Sequence, residues 1–311
     1  MPETTPSLPR PTLPQSWYAR LRLLSLDVVI GALGSGWMVA TWLDWHPPWA
    51  FYLVLPLAVW IIYTADHLLD AYRLRESAHT PRHLFHFQHF RALVITEIIA
   101  GTACLTLAFI YFESDAIGFG VIMGVLVALH FLLVKLVGSL ASPLLIKESG
   151  VAFIYTMGIW GLPLWEAVDS SNADFQASAI YLTAFVQFFL LALINLLEFS
   201  LFEYQIDETD GHTSFVRAIG PQRTRWGLVI LFGLLLGGMA AHLLVLPGEI
   251  TPVYAPQLLA PLYLIYFLMA LILGLMLIFF RFFEKNERYR AWGDGAFVLP
   301  FLYPLIAWLL T

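Results

Sequence analysis

Taken as a string of apolar and polar positions, the chain is a succession of apolar runs of about 20 residues separated by shorter polar stretches. In a helix, about 20 such residues at ~1.5 Å each cross the ~30 Å hydrocarbon layer of a bilayer. The runs predict helices over 24–43, 49–66, 92–112, 115–138, 147–167, 177–201, 226–247, 258–282 and 291–310. The expected fold class is therefore all-α, a polytopic transmembrane bundle of about nine helices, because in lipid each backbone amide must be satisfied within its own helix. No Gly/Ser linker or break in composition divides the sequence after residue 24, so 24–311 reads as one transmembrane domain. Residues 1–23 read as an N-terminal tail. Pro, Thr and Ser dominate Met1 to Gln15, and no short apolar core with a small-residue cleavage site marks a signal peptide.

Composition removes the water-soluble alternative: 59% of the 311 residues are hydrophobic, 12% are charged and the mean hydropathy is +0.76. The single cysteine, Cys104, excludes an intramolecular disulfide and a thiolate metal site. The net charge of −6 is modest, and its placement says more than its sum. All sixteen Lys and Arg residues fall on one side of the predicted spans: before the first helix, between the second and third, fourth and fifth, sixth and seventh, and eighth and ninth. Loops on the other side carry acids alone, among them Asp44, Glu113, Asp115, Glu166 and Glu249. The positive-inside rule then puts the N-terminus in the cytoplasm and the C-terminus outside, and a bacterial inner membrane is the expected location. Trp17, Trp42, Trp45, Trp49, Trp226 and Trp292 lie near span ends, where an aromatic belt belongs. Nothing in this balance suggests a nucleic-acid partner.

Candidate chemistry sits at two of the basic-side ends. The second helix runs into Tyr63-Thr64-Ala65-Asp66-His67-Leu68-Leu69-Asp70, where Asp66 and Asp70, four apart, share one helix face. The sixth runs into Asn195, Glu198, Glu203, Asp207, Glu208 and Asp210, and Glu203 and Asp207 repeat the spacing. Each pair alone reads as solvated interfacial charge. Together they form oxygen-only ligand pairs near Arg and Lys, a set suited to Mg²⁺ held between carboxylates and a substrate phosphate. Asn195 and Glu198 lie one to two turns deeper, where an unpaired charge is costly. Asp27 and Glu97 are the other intramembrane acids, each a candidate to bind the acceptor or relay a proton or a merely hydrated charge near the boundary, and His130 and His242 read as packing residues. Four histidines, His79, His83, His86 and His89, follow the first cluster. They read either as part of an amphipathic interfacial helix over 81–91 that buries Leu84, Phe85, Phe87 and Phe90, or as a cap on the pocket, with an iron-binding histidine box the less favoured alternative.

These residues resemble the motifs of the UbiA prenyltransferase superfamily. Asp66 and Asp70 match the last two acids of its first aspartate-rich motif, and Glu203, Asp207, Gly211 and Ser214 read as ExxxDxxxGxxS for its second. Lys147 followed by Gly161-Leu162-Pro163 is similar to a third stretch. Ile62 and Tyr63 stand where the family has Asn and Asp, and Arg82-His83-Leu84 replaces Arg-Pro-Leu. The resemblance implies a UbiA-like fold and Mg²⁺-dependent transfer of a prenyl group from an isoprenyl diphosphate to a lipophilic, possibly aromatic, acceptor within membrane lipid. It implies metal ligation by Asp66, Asp70, Glu203 and Asp207. Lys147 and Arg73 then face the diphosphate, Arg217 and Tyr63 are further candidates on the donor side, and Asn195 and Glu198 position acceptor or metal. A terpene cyclase using the same metal site, and a non-catalytic or transport protein, are the competing expectations.

Overall fold

A computed structural model describes residues 17–74, 80–137, 146–170, 175–210, 214–245 and 256–310. Among them there is no strand. The end of the N-terminal tail is helical, α1 (Trp17–Leu23), and the first apolar run forms α2 (Leu26–Trp42), the two joined at Ser25, whose φ of 54° is left-handed. The next helix, α3 (Phe51–Leu74), continues two turns past the expected end, so Asp66, His67 and Asp70 are helical. A short helix follows, α4 (Pro81–Gln88), started by Pro81 and by Thr80, whose Oγ1 accepts from the His83 amide at 3.3 Å. Then come α5 (Phe90–Tyr111), α6 (Ser114–Val137), α7 (Ile146–Ser170) and α8 (Phe175–Phe202). Two short helices, α9 (Tyr204–Asp210) and α10 (Phe215–Ile219), lead to α11 (Pro221–Val245) and α12 (Pro256–Ile278).

The last apolar run departs from expectation. In place of one helix over 291–310, the chain forms α13 (Phe280–Glu284), α14 (Arg288–Ala296) and α15 (Leu302–Leu310), separated by 3-10 turns at Lys285–Glu287 and Leu299–Phe301. Asn286 (φ 57°) and Glu287 (φ 51°) are both left-handed, which an α-helix cannot absorb, and Pro300 lacks the amide needed to continue one.

Seven segments among the described residues are long and apolar enough to cross a membrane: most or all of α3, α5, α6, α8, α11 and α12, and the broken run Phe280–Leu310. The chain is accordingly an all-helical integral membrane protein. At 17 residues α2 falls below that count, and so does α7, which opens on Lys147 and Glu148 and closes on Glu166 and Asp169. Burial marks the centre. Of the most apolar stretch of each helix, 61% is buried in α8 and 50% in α12, against 11% in α5 and none in α6. Accordingly α8 packs on α7, α11 and α12, while α5 leans on α3 and α6 on α7 with their Leu, Ile and Val side chains turned to lipid. The C-terminal turn seats on α2 at Gly34, where a Cβ would come within 2.4 Å of the Phe301 ring.

Candidate functional site

Helical periodicity turns one stripe from each of several helices toward a common space. On α3 the stripe is Tyr63, Asp66 and His67; on α7 it is Lys147, Glu148, Val151, Ala152 and Tyr155. On α8 it runs through Ala192, Asn195, Leu196, Phe199 and Ser200 to Glu203 just past its end, and from α14 come Arg290 and Asp294 with Phe297 just beyond. Ser25, Asp27 and Val28 at the start of α2, Arg82 of α4, Asp207 of α9 and Ser214 complete the wall of a cavity of about 220 Å³. It lies at the end of the bundle that carries the basic residues.

Six of the residues singled out in the sequence meet here: Tyr63, Asp66, Lys147, Asn195, Glu203 and Asp207. The other four lie elsewhere. Asp70 sits one turn beyond Asp66, with Oδ2 3.8 Å from His83 Nε2. Arg73 is exposed, and Arg217, also exposed, donates from Nη1 to the Asp207 carbonyl at 3.3 Å. Glu198 is fully buried but three residues after Asn195, so the turn of α8 carries it away from the cavity, and neither carboxylate oxygen has a hydrogen-bond partner among the described residues. Gly211 of the second motif and His79 lie outside the described residues.

Charge divides the cavity into two ends. At one end Lys147 stands among Asp66, Asp70, Asp207 and Glu148, so the two acidic clusters of the sequence flank a single ammonium. Glu148 also ties three elements together: Oε1 accepts from Ser200 Oγ at 3.2 Å and from the Phe215 amide at 2.9 Å, while Oε2 has no hydrogen-bond partner among the described residues. His130 of α6, packed over Gly150, adds an imidazole near Asp66 and Lys147. At the other end Arg290 pairs through Nη2 with Glu203 Oε1 at 2.6 Å, and the Tyr289 hydroxyl donates to the same oxygen at 3.2 Å. Glu203 is therefore engaged by a cation of the last span. Arg290 Nε lies 3.5 Å from Glu287, and Arg22 lies 3.8 Å from Glu287 and 3.9 Å from Asp27.

The lining holds six carboxylates, Asp27, Asp66, Glu148, Glu203, Asp207 and Asp294, against three cations, Arg82, Lys147 and Arg290. Such an excess in a confined space favours protons or bound cations. Burial, and next the Glu203 charge, push the Asp207 carboxyl up to about 7. A carboxylate binds metal only after losing its proton. Metal affinity is therefore expected to rise about tenfold per pH unit up to pH ~7 and to level off above it, and Asp207→Asn removes that slope. Titrating the protein with Mn²⁺ by electron paramagnetic resonance between pH 5.5 and 8.5 measures it; a flat profile in the native chain contradicts it.

The histidines do not follow the amphipathic expectation. The fully buried residue of α4 is His86, while Leu84, Phe85, Phe87 and Phe90 are half-buried, because α4 packs its Arg82 and His86 side against α3. His86 Nδ1 donates to the Arg82 carbonyl at 2.9 Å, and burial pushes its pKa down to about 4, so it is neutral at pH 7. Arg82 Nη1 donates to His67 Nε2 at 3.2 Å, and Ser25 Oγ lies 3.2 Å from the same nitrogen. A guanidinium only donates, so the proton of neutral His67 is on Nδ1, which is buried without a hydrogen-bond partner among the described residues. Among the described residues no three His, Cys, Asp or Glu side chains converge on a point that could hold a metal. His242 lies away from the cavity and is hydrogen-bonded to the Tyr263 hydroxyl.

His67, Arg82, Glu148, Arg290 and Asp294 are cavity residues to which sequence reasoning gave no role of their own, and Asp27, a sequence candidate for acceptor binding or proton relay, joins them. A signal existed for two of them. Arg290 and Asp294 are four apart, hence on one face, and interrupt the start of an apolar run. Packing around α14 depends on Gly293, where a Cβ would lie 2.4 Å from the Phe199 ring and 2.5 Å from Asn195 Oδ1. Gly293→Ala is expected to cost about 1–3 kcal/mol by overpacking. Unfolding in mixed micelles by SDS titration measures it, and an unchanged midpoint contradicts so tight a fit. In comparisons with known proteins the chain matches no family model, no curated protein and no solved structure.

Proposed function

We propose that the chain is a UbiA-type membrane prenyltransferase with nine spans, in which α2 and α7 join the seven long apolar segments, the N-terminus is cytoplasmic and the host membrane is a bacterial inner membrane. One observation carries the reading: Asp66 of α3 and Asp207 of α9 open on one cavity with Lys147 between them. Diphosphate ester chemistry needs that combination, acids to hold a divalent cation and an ammonium to meet the leaving oxygens, beside an apolar interior for a hydrocarbon tail.

The acids present fit Mg²⁺ better than a transition metal. No three-ligand protein cluster is built among the described residues, and Mg²⁺ is commonly held by one or two carboxylates with waters and substrate phosphates completing its shell. Asp66 and Asp207 are the ligands of choice, with Asp70 at the rim, since Glu203 is engaged by Arg290. A bound Mg²⁺ ion supplies neutralisation of the charge that develops on the diphosphate. Lys147 binds the leaving oxygens, while Arg73 and Arg217, both exposed, do not line the cavity. Tyr155, Phe199 and Phe297 border the space in which the allylic cation would form; their rings exclude water and offer π-faces to positive charge.

Diphosphate release tests the reading. The purified chain in nanodiscs is supplied with geranyl, farnesyl or geranylgeranyl diphosphate, with Mg²⁺ or with EDTA. Mg²⁺-dependent release supports it, and analysis of the organic product separates transfer from cyclisation. No release with any donor from folded protein removes both enzymatic readings and leaves the carboxylate excess to a cation or proton path.

A further inference from the structure

The end of the cavity away from Lys147 has a use that the donor chemistry does not absorb. Asp294 of α14 lines it, is 8% exposed, and its carboxylate makes no ion pair or hydrogen bond with a described residue. Its charged neighbours are Asp27, Arg82, Arg290 and Arg22, and the hydroxyls of Tyr63 and Tyr155 lie within its field. A buried polar group left unmatched in this way marks a place that a ligand completes.

The charges nearby say what kind of ligand. Arg290 is committed to Glu203 and Glu287, Arg82 to His67, and Arg22 bridges Glu287 and Asp27. An anionic acceptor would meet Asp27 and Asp294 with every neighbouring guanidinium already engaged. A neutral hydroxyl compound meets the opposite case. Its O–H finds the Asp294 carboxylate, and its apolar body finds Tyr155 and Phe297, whose rings are 5.9 Å apart.

We infer that Asp294 is the catalytic base on the acceptor side, receiving the proton of a neutral, lipid-soluble alcohol or phenol during prenyl transfer. The inference rests on the proposed function. The carbon–oxygen bond of the donor breaks with its electron pair leaving on diphosphate. The acceptor oxygen forms the new bond to that carbon, and the proton that this oxygen carried passes to the Asp294 carboxylate, giving an ether and a carboxylic acid. Asp66, Asp207 and Lys147 act on the diphosphate and Asp294 on the acceptor, so the two halves of the reaction are separable.

The experiment uses the full chain in nanodiscs with farnesyl diphosphate and 4-pentylphenol, 1-decanol or 4-pentylbenzoate as probes. It follows diphosphate, farnesol and ether product together, and probe binding by calorimetry. Asp294→Asn is expected to lower ether formation about 100-fold or more while diphosphate release falls less than tenfold, so the cation is diverted to water. Asp294→Glu, which keeps the base, restores part of the transfer and stands in if the Asn variant does not fold. The benzoate is expected to bind at least tenfold more weakly than the phenol. Transfer and release falling in the same proportion, transfer unaffected, or the benzoate bound as well as the phenol would each overturn the assignment. If the native chain releases no diphosphate, the proposed function fails by itself. Binding of 4-pentylphenol then decides the site: loss in Asp294→Leu but not in Asp66→Asn retains it as a hydroxyl-binding site, and equal binding in all three chains removes it.

Discussion

Asp66→Asn combined with Asp207→Asn is expected to lower Mg²⁺-dependent diphosphate release by at least ~10³-fold, the largest functional loss anticipated for this chain. The two side chains arrive from different parts of the sequence, Asp66 on α3 and Asp207 on α9, and they share one cavity and one cationic neighbour, Lys147. Asparagine keeps the shape and an oxygen but removes the charge, so packing is preserved while metal affinity and neutralisation of the leaving group are lost. Each single change should cost about 10²-fold. Because both act on one developing charge, the double variant should fall short of the product of the two. Initial rates of release by native and variant chains, matched for helical content by circular dichroism, decide the matter. A double variant within tenfold of the native rate would leave the two carboxylates without a part in ionisation.

The largest effect on stability is expected from Arg290→Met. The guanidinium sits 2.6 Å from Glu203, with side-chain exposures of 9% and 23%, and the Tyr289 hydroxyl bonds the same carboxylate oxygen. Removing one partner of a buried pair leaves the other charge desolvated and unmatched, which costs about 3–5 kcal/mol. Replacing both partners by apolar groups of similar size removes that penalty, so Arg290→Met with Glu203→Leu should recover most of the loss. Reversible unfolding by SDS in mixed micelles, read by far-ultraviolet circular dichroism, supplies the comparison. A single-variant loss under about 1 kcal/mol would mean that water reaches the pair and screens it.

The parts of the site that were legible in the sequence are those governed by local spacing. Asp66 with His67 on α3, and Asn195 and Phe199 on α8 with Glu203 just past its end, follow from the helical period once each segment is known to be a helix. The same period carries Glu198 away, a consequence that its depth in the apolar run concealed. Arg82 and His86 were harder to place. On sequence, 81–91 looks like a helix laying its Leu and Phe side chains into lipid, yet α4 packs on α3 and sends Arg82 to His67. A local hydrophobic pattern cannot foresee that, since the choice depends on what α3 offers on its facing side. The break in the last run was equally hidden, because Asn286 and Glu287 take left-handed φ values with no glycine to mark the turn.

By itself the sequence determined the solvent and the element type. With 59% hydrophobic residues in runs of bilayer length, each backbone must close its hydrogen bonds within a helix, and no distant partner is needed to reach that conclusion. It also determined which acids share a helix face, because side chains four apart are neighbours whatever surrounds them. Only the tertiary structure decided which charges meet: Glu203 with Arg290, Lys147 among Asp66, Asp70 and Asp207, and the Asp294 carboxylate facing the cavity without a partner among the described residues. The physical reason is range. Helix formation and facial periodicity are set within one or two turns, whereas a charge in an apolar interior is stabilised by whichever opposite charge the packing of distant helices delivers to it.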